Sequence, residues 1–195
     1  MPKPKKRSDS LPHQIRSFKA ALAAGNVKRW HTRYVIQQET VGAHSWVVGM
    51  LVQFLYDVAY PNEWTPAEKL EMLNKALIHD IGELRTGDLP AHVKRLMMPY
   101  TLASIECIEE DFVKAAMMWR TKHLVKNALQ VKKMDKLIYM ADVLAAAYYC
   151  GVERSLGNNN LSDVAERLTA YLKSMNPRIV VMNLCATLLE KPYAD

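Results

Sequence analysis

With 195 residues, half of them hydrophobic, the chain is long enough to bury one substantial core, and one domain is expected rather than two. No stretch approaches the roughly 20 uninterrupted apolar residues of a membrane span, and the start Met1-Pro2-Lys3-Pro4-Lys5-Lys6-Arg7 lacks the apolar segment of a signal peptide. These features predict a cytoplasmic protein. The net charge of +6 suits an anionic ligand, but much of it lies in residues 1–11, expected to be a basic flexible tail. Cys107, Cys150 and Cys185 are too scattered for a disulfide framework and are read as packing residues.

Scarce glycine and abundant Ala, Leu, Met, Lys and Glu favour helices, and no strand alternation appears. Residues 12–24 read as a first helix, stopped by Gly25-Asn26. A polar connection, Val27 to Glu39, leads to a long apolar helix over 40–59 that Pro61-Asn62 closes. Thr65-Pro66-Ala67-Glu68 combines an N-cap threonine, a proline at the first helical position and a glutamate at the third. The helix it opens is expected to run through Leu70, Leu73 and Leu77 to about Asp80. A loop over 81–90 precedes shorter helical pieces near 90–98 and 101–123. A helix over roughly 126–156 stops at Gly157-Asn158-Asn159-Asn160, and two more, near 161–175 and 177–190, complete an all-α domain over 12–195.

The informative residues are ionisable groups on faces that should be apolar. His44 lies in line with Val47, Val48, Leu51 and Leu55. Asp80 continues the row Leu70, Leu73, Leu77, with His79 directly before it. Asp142 shares a face with Ile138, Ala145, Ala146 and Tyr149. Taken singly, each has an ordinary explanation: a hydrogen-bonded core histidine, a helix cap, an arginine-paired carboxylate. Taken as a set on three successive helices, two imidazoles and two carboxylates suit a borderline divalent ion such as Mn, Fe, Co, Ni or Zn, with Mg a further candidate. A buried carboxylate without a partner costs several kcal/mol, which a metal or a counter-charge removes.

His44, then His79-Asp80, then Asp142 resembles the His…His-Asp…Asp signature of the HD-domain phosphohydrolase superfamily, a single helical bundle. Arg29-Trp30, the run from Glu39 to Ser45, the run from His79 to Pro90, and Ala141-Asp142-Val143-Leu144 followed by Gly157-Asn158-Asn159 are similar to the bacterial 5′-deoxynucleotidases. The similarity covers about residues 20–160, and viral dATP triphosphohydrolases share the same branch. The resemblance implies one catalytic divalent transition metal per subunit, homo-oligomers and a deoxynucleotide substrate. On matching positions it makes His44, His79, Asp80 and Asp142 ligands and Glu83 the acid/base on water or leaving group. It places Arg29 on the phosphate, Trp30 on the nucleoside, Asp88 near the sugar, and Lys94 within reach of a phosphate. Where relatives often carry a lysine three residues before the last aspartate, this chain has Tyr139. An alternative alignment on Val131-Lys132-Lys133-Met134-Asp135 restores the lysine and makes Asp135 the ligand; the Asp142-to-Gly157 spacing favours Asp142.

The residue types fit the chemistry. Glu83, about one turn after His79, can face the same cavity without binding the ion. The planar fork of Arg29 suits paired phosphate oxygens, and the flat face of Trp30 suits a base or sugar. Removal of phosphate from deoxynucleoside 5′-monophosphates is the leading reading. A triphosphohydrolase, dATP-selective or otherwise, is the alternative, for which Lys94, Lys132, Lys133 and Arg85 are candidate contacts to a phosphate tail. A non-catalytic nucleotide- or nucleic-acid-binding module is the third, disfavoured by Glu83 beside a complete ligand set; no stable nucleic-acid binding is expected.

Overall fold

The computed structural model of the protein describes residues 11–116 and 127–190. Most of the basic tail, together with Met117, Met118 and His123, lies outside the described residues. Nine α-helices are found among them: α1 (Leu11–Ala21), α2 (Val41–Phe54), α3 (Pro66–Ile78), α4 (Glu83–Thr86), α5 (Ala91–Leu96), α6 (Pro99–Ala116), α7 (Ala128–Ser155), α8 (Ser162–Ser174) and α9 (Ile179–Glu190). The described residues hold no strand beyond an isolated antiparallel bridge between Lys28 and Thr40.

Local chemistry sets the helix ends. Thr40 caps α2 by accepting from the Ala43 amide at 3.2 Å. At Thr65 the expected capping box forms in full: Oγ1 accepts the Glu68 amide at 3.3 Å and Glu68 Oε2 accepts the Thr65 amide at 2.7 Å. α7 ends in a Schellman turn, with Gly157 at φ +88, its amide on the Arg154 carbonyl, and the Asn158 amide on the Glu153 carbonyl. The left-handed position is one that glycine occupies without a Cβ penalty.

The sequence periodicity missed some details. The first helix tightens into a 3₁₀ segment at Leu22–Asn26, and the long apolar helix widens into a π turn at Leu55–Ala59. α3 stops at Ile78, so Asp80 lies in the turn that follows. Its buried positions are Glu71, Met72 and Ala76, whereas Leu70 and Leu77 are about half exposed. The face that continues to Asp80 is therefore Met72–Ala76, spaced by four, and not the leucine row. Cys107 is exposed on α6 and fills no core; Cys150 and Cys185 are buried as expected.

α7 is the central helix. Buried side chains occur on every side of it from Met134 to Glu153, and it packs against α2, α3, α8 and α9. At its crossing with α9 a Cβ on Gly151 would stand 1.9 Å from the Leu188 carbonyl oxygen, so only glycine admits this approach. Val48, Val52 and Leu55 of the 41–59 segment, Met72 and Ala76 of α3, and Val181 and Cys185 of α9 fill the space around it. The ends of this packed frame hold the site.

Candidate metal centre and substrate cavity

His44 sits on the first turn of α2, fully buried, with Nε2 2.9 Å from Asp142 Oδ1 on α7 and 3.6 Å from Asp80 Oδ2. His79 closes α3, and its Nδ1 lies 2.7 Å from the Ala76 carbonyl. A carbonyl only accepts, so Nδ1 carries a proton and Nε2 is the atom turned to Asp80 Oδ2 at 3.3 Å and Asp142 Oδ1 at 4.0 Å. Ligand atoms of His44, His79 and Asp80 lie within 4.8 Å of one another, and Asp142 borders them through His44. Asp135 is elsewhere: it is half exposed, pairs with Lys75 at 2.8 Å, and lies two turns, about 10 Å, along α7 from Asp142.

The electrostatics are those of a site holding more negative charge than protein partners neutralise. Burial opposes charge on His79, yet the Asp80 and Asp142 carboxylates and the Ala76 carbonyl lift its pKa to about 9. Against its own burial, Asp80 is held well below the usual carboxylate range by His79, Arg29 and His44. His44 Nδ1, His79 Nε2 and Glu83 Oε2 are buried with no hydrogen-bond partner among the described residues. His79 Nε2, unpartnered beside Asp80, and His44 Nε2, turned to Asp142 and Asp80, are ring nitrogens that a divalent cation satisfies, so this donor set fits the ion that the sequence implies; His44 Nδ1 faces Glu39 instead.

Glu83, nearly fully buried in the first turn of α4, is the unusual acid. Burial and the charges of Asp80 and Asp88 push its pKa to about 8, against Arg29 and Lys94; Lys94 Nζ stands 3.6 Å away. It therefore holds a proton at neutral pH.

A cavity of about 490 Å³ opens from this cluster. Arg29, Trp30, Asp80, Glu83, Asp88, Lys94 and Asp142 all line it. One wall is apolar, made by Val143 and Ala146 of α7 with Val164 and Leu168 of α8. Tyr139 stands at its edge, packed edge-to-face on Tyr171 at 5.7 Å. Arg33, Arg95 and Arg167 also line it. Of the four residues expected from sequence to meet a phosphate tail, Lys94 lines the cavity; Arg85 lies over the Phe112 ring, and Lys132 and Lys133 are exposed on α7 away from the lining.

Arg29 and Trp30 arrive from the irregular 27–40 segment. Arg29 donates from Nη1 to Asp80 Oδ2 at 2.7 Å and from Nε to Glu39 Oε2 at 3.2 Å. Trp30 Nε1 donates to the same Glu39 oxygen at 2.8 Å, and the Trp30 amide to Asp88 Oδ2 at 3.3 Å. Glu39 Oε1 faces His44 Nδ1 at 3.8 Å. Glu39 thus links the guanidinium, the indole and a ligand imidazole. Sequence reasoning gave it no role, and an acidic residue just before an N-cap carries no signal that it reaches back ten residues.

A family model described as 5′-deoxynucleotidase YfbR-like matches residues 18–191. The chain is 28% identical over 161 residues to a 5′-deoxynucleotidase of Shewanella oneidensis, covering 80% of this chain and 82% of that protein. It is 28% identical over 158 residues to the 5′-deoxynucleotidase YfbR of Escherichia coli O1:K1, covering 76% and 77%. Among solved structures it resembles a cyanophage S-2L HD phosphohydrolase, DatZ, bound to dA and one catalytic Zn²⁺ ion, with a TM-score of 0.60 at 18% identity over 89% of this chain and 94% of that one. An HD-domain phosphohydrolase of Listeria innocua matches with a TM-score of 0.59 at 21% identity, over 91% and 86%. Both structural likenesses concern the helical fold.

Proposed function

The chain belongs to the YfbR-like 5′-deoxynucleotidase family of HD-domain phosphohydrolases, and from that membership and its site we propose that it is a divalent-metal-dependent enzyme releasing phosphate from deoxynucleoside 5′-monophosphates. The observation that carries this reading is the convergence of His44, His79, Asp80 and Asp142 with Arg29 and a protonated Glu83 at one end of a 490 Å³ cavity.

His44 Nε2, His79 Nε2, Asp80 and Asp142 would hold the ion, with Zn, Mn, Co, Fe or Ni suited to mixed nitrogen and oxygen ligands. When bound, the ion supplies Lewis acidity toward the phosphoryl group and toward water. The chain supplies the rest. Arg29, already oriented by Asp80 and Glu39, presents its fork to the phosphate oxygens. Glu83, whose burial beside Asp80 and Asp88 raises its pKa to about 8 in the metal-free site, can take up a proton and deliver it to the departing 5′-oxygen. Trp30 and the Val143–Ala146–Val164–Leu168 wall pack on the nucleoside and exclude water from the reacting end. Asp88, on the Trp30 amide, fixes that residue and stands where a sugar hydroxyl could donate.

The cavity's further arginines support a second reading, in which the substrate carries a longer phosphate tail. Asp163 occupies Arg33 and Arg167, at 2.9 Å each, whereas Arg95 makes no ion pair among the described residues. A phosphate-release assay with chromatographic product identification decides between them, on Mn- or Co-supplied protein with deoxy- and ribonucleoside mono-, di- and triphosphates. Orthophosphate and deoxynucleoside from monophosphates establish the nucleotidase. Intact triphosphate from a deoxynucleotide establishes the alternative, and no release from any nucleotide rejects both.

A further inference from the structure

Arg29 and Trp30 sit on a segment with no helix of its own, and Trp30 holds φ +61, a left-handed conformation rare for a bulky residue. Such a backbone persists only where its surroundings over-determine it. Part of that restraint comes from residues 34–37, whose backbone is gripped by the C-terminal end of α7.

Glu153 is fully buried. Its Oε2 accepts the Ile36 amide and its Oε1 the Gln37 amide, each at 2.8 Å. Asn158, brought alongside by the Schellman turn, donates from Nδ2 to Glu153 and, at 3.1 Å, to the Tyr34 carbonyl. The Tyr149 hydroxyl donates to the Gln37 carbonyl, and its ring stacks under Trp30 with centroids 5.1 Å apart and planes 11° from parallel. The hydrogen bonds are to backbone, the Tyr34 and Ile36 side chains being 73% and 51% exposed, and Val35 packs against the cluster that holds Tyr149. None of Tyr149, Glu153 and Asn158 lines the cavity.

We propose that Glu153 is a positioning residue for substrate binding: its buried carboxylate, backed by Asn158 and Tyr149, clamps the backbone at residues 36–37 and so holds Trp30 against Tyr149 at the cavity wall. The donor geometry calls for a carboxylate. Two successive amides each need an acceptor and Asn158 supplies a third donor, so both oxygens are used. Glutamine has nearly the same shape but turns an NH₂ toward one of those donors, which breaks one bond and leaves an unmatched donor pair. The clamp stands on contacts independent of substrate; its effect on binding rests on the nucleotidase reading.

The test is Glu153→Gln in the full-length, metal-loaded protein. Backbone hydrogen exchange reads the clamp directly: the Ile36 and Gln37 amides are slow in the parent and at least about tenfold faster in the variant, with the α2 and α7 core amides unchanged. KM for a deoxynucleoside 5′-monophosphate rises about tenfold or more, while kcat and metal content stay within about threefold, because a displaced Trp30 weakens binding and leaves the phosphate end intact. Tyr149→Phe keeps the stack, loses the hydroxyl, and shows the same split at about threefold; it decides the matter alone if Glu153→Gln does not fold. Unchanged exchange at 36 and 37, unchanged KM, or a parallel loss of kcat and metal overturns the proposal. If the parent turns over no deoxynucleotide, the nucleotidase reading fails, and the clamp is judged by exchange and by the Trp30 environment in fluorescence.

Discussion

The two halves of the site are built in opposite ways. The metal cluster stands on or beside regular helices: His44 on α2, His79 and Asp80 at the end of α3, Asp142 on α7, all pinned by a core that includes Val48, Met72 and Ala145. The substrate-facing pair, Arg29 and Trp30, stands on an irregular segment held by side chains from distant parts of the chain, among them Glu153 and Asp163. The first half is placed by packing, the second by hydrogen bonds. Rigid helices set ligand atoms within a few ångströms of one another, which a metal demands.

Removing one support from each half should therefore give different failures. The largest expected effect is in the helical half. Asp142→Ala should lose most bound metal and reduce turnover by about a thousandfold or more, whereas Asp135→Ala should keep both within about twofold; metal analysis by mass spectrometry with parallel phosphate release checks this. The reverse result would move the last ligand to Asp135. Next, Glu83→Ala should lower kcat by about 10²–10⁴ with metal retained, since it removes the proton donor alone. Single-turnover measurement of the chemical step reads it.

In the loop half, Arg29→Lys should keep metal and lower kcat/KM by about 10–100-fold, because a single ammonium replaces a fork shared with Asp80 and Glu39. Glu39→Gln tests the joint between the halves. Contacting Arg29, Trp30 and His44, it should weaken metal binding about tenfold and raise KM together, where a change confined to either half moves one. Titration with a metal-sensitive dye gives the first quantity and steady-state kinetics the second.

The smallest effect is on the stability of metal-free protein. Folding raises Glu83 from 4.5 to about 8 and His79 from 6.5 to about 9. Both folded-state protons are held more tightly, so their stabilisation is full below the unfolded pKa values and is lost as pH rises through about 8 and 9. Metal-free protein should accordingly melt lower at pH 9 than at pH 6. Glu83→Gln should narrow that difference by a few degrees, read by calorimetry across the range.

The same contrast explains what could be read before the structure. His44 and Asp142 were legible because a polar residue in an apolar 3.6-residue row is a local anomaly; Ile138, Ala145, Ala146 and Tyr149 around Asp142 are buried, as are Val48, Leu51 and Leu55 in the row of His44, with Val47 partly so. Asp80 is reached from sequence along the row Leu70, Leu73, Leu77, which is not the inward face; Leu70 and Leu77 are half exposed because α3 turns Met72 and Ala76 inward. Arg29 and Trp30 were legible only through resemblance. Glu153 and Asn158 could not be seen, because contacts spanning 116, 117 and 124 residues to backbone groups leave no periodic trace in sequence, and Glu39, reaching back nine and ten residues to side chains of an irregular segment, leaves none either. Arg33, Arg95 and Arg167 come from the 27–40 segment, α5 and α8, and only the fold brings them to one cavity.

The central claim is that four side chains from three helical segments hold one divalent ion. Anomalous diffraction at the Mn edge, on crystals grown with Mn and a deoxynucleoside 5′-monophosphate, tests it most directly. The account predicts a single strong peak per chain between His44 Nε2, His79 Nε2, Asp80 and Asp142, with the substrate phosphate between that peak and Arg29. A peak beside Asp135, or none at the His44–His79 pair, contradicts it.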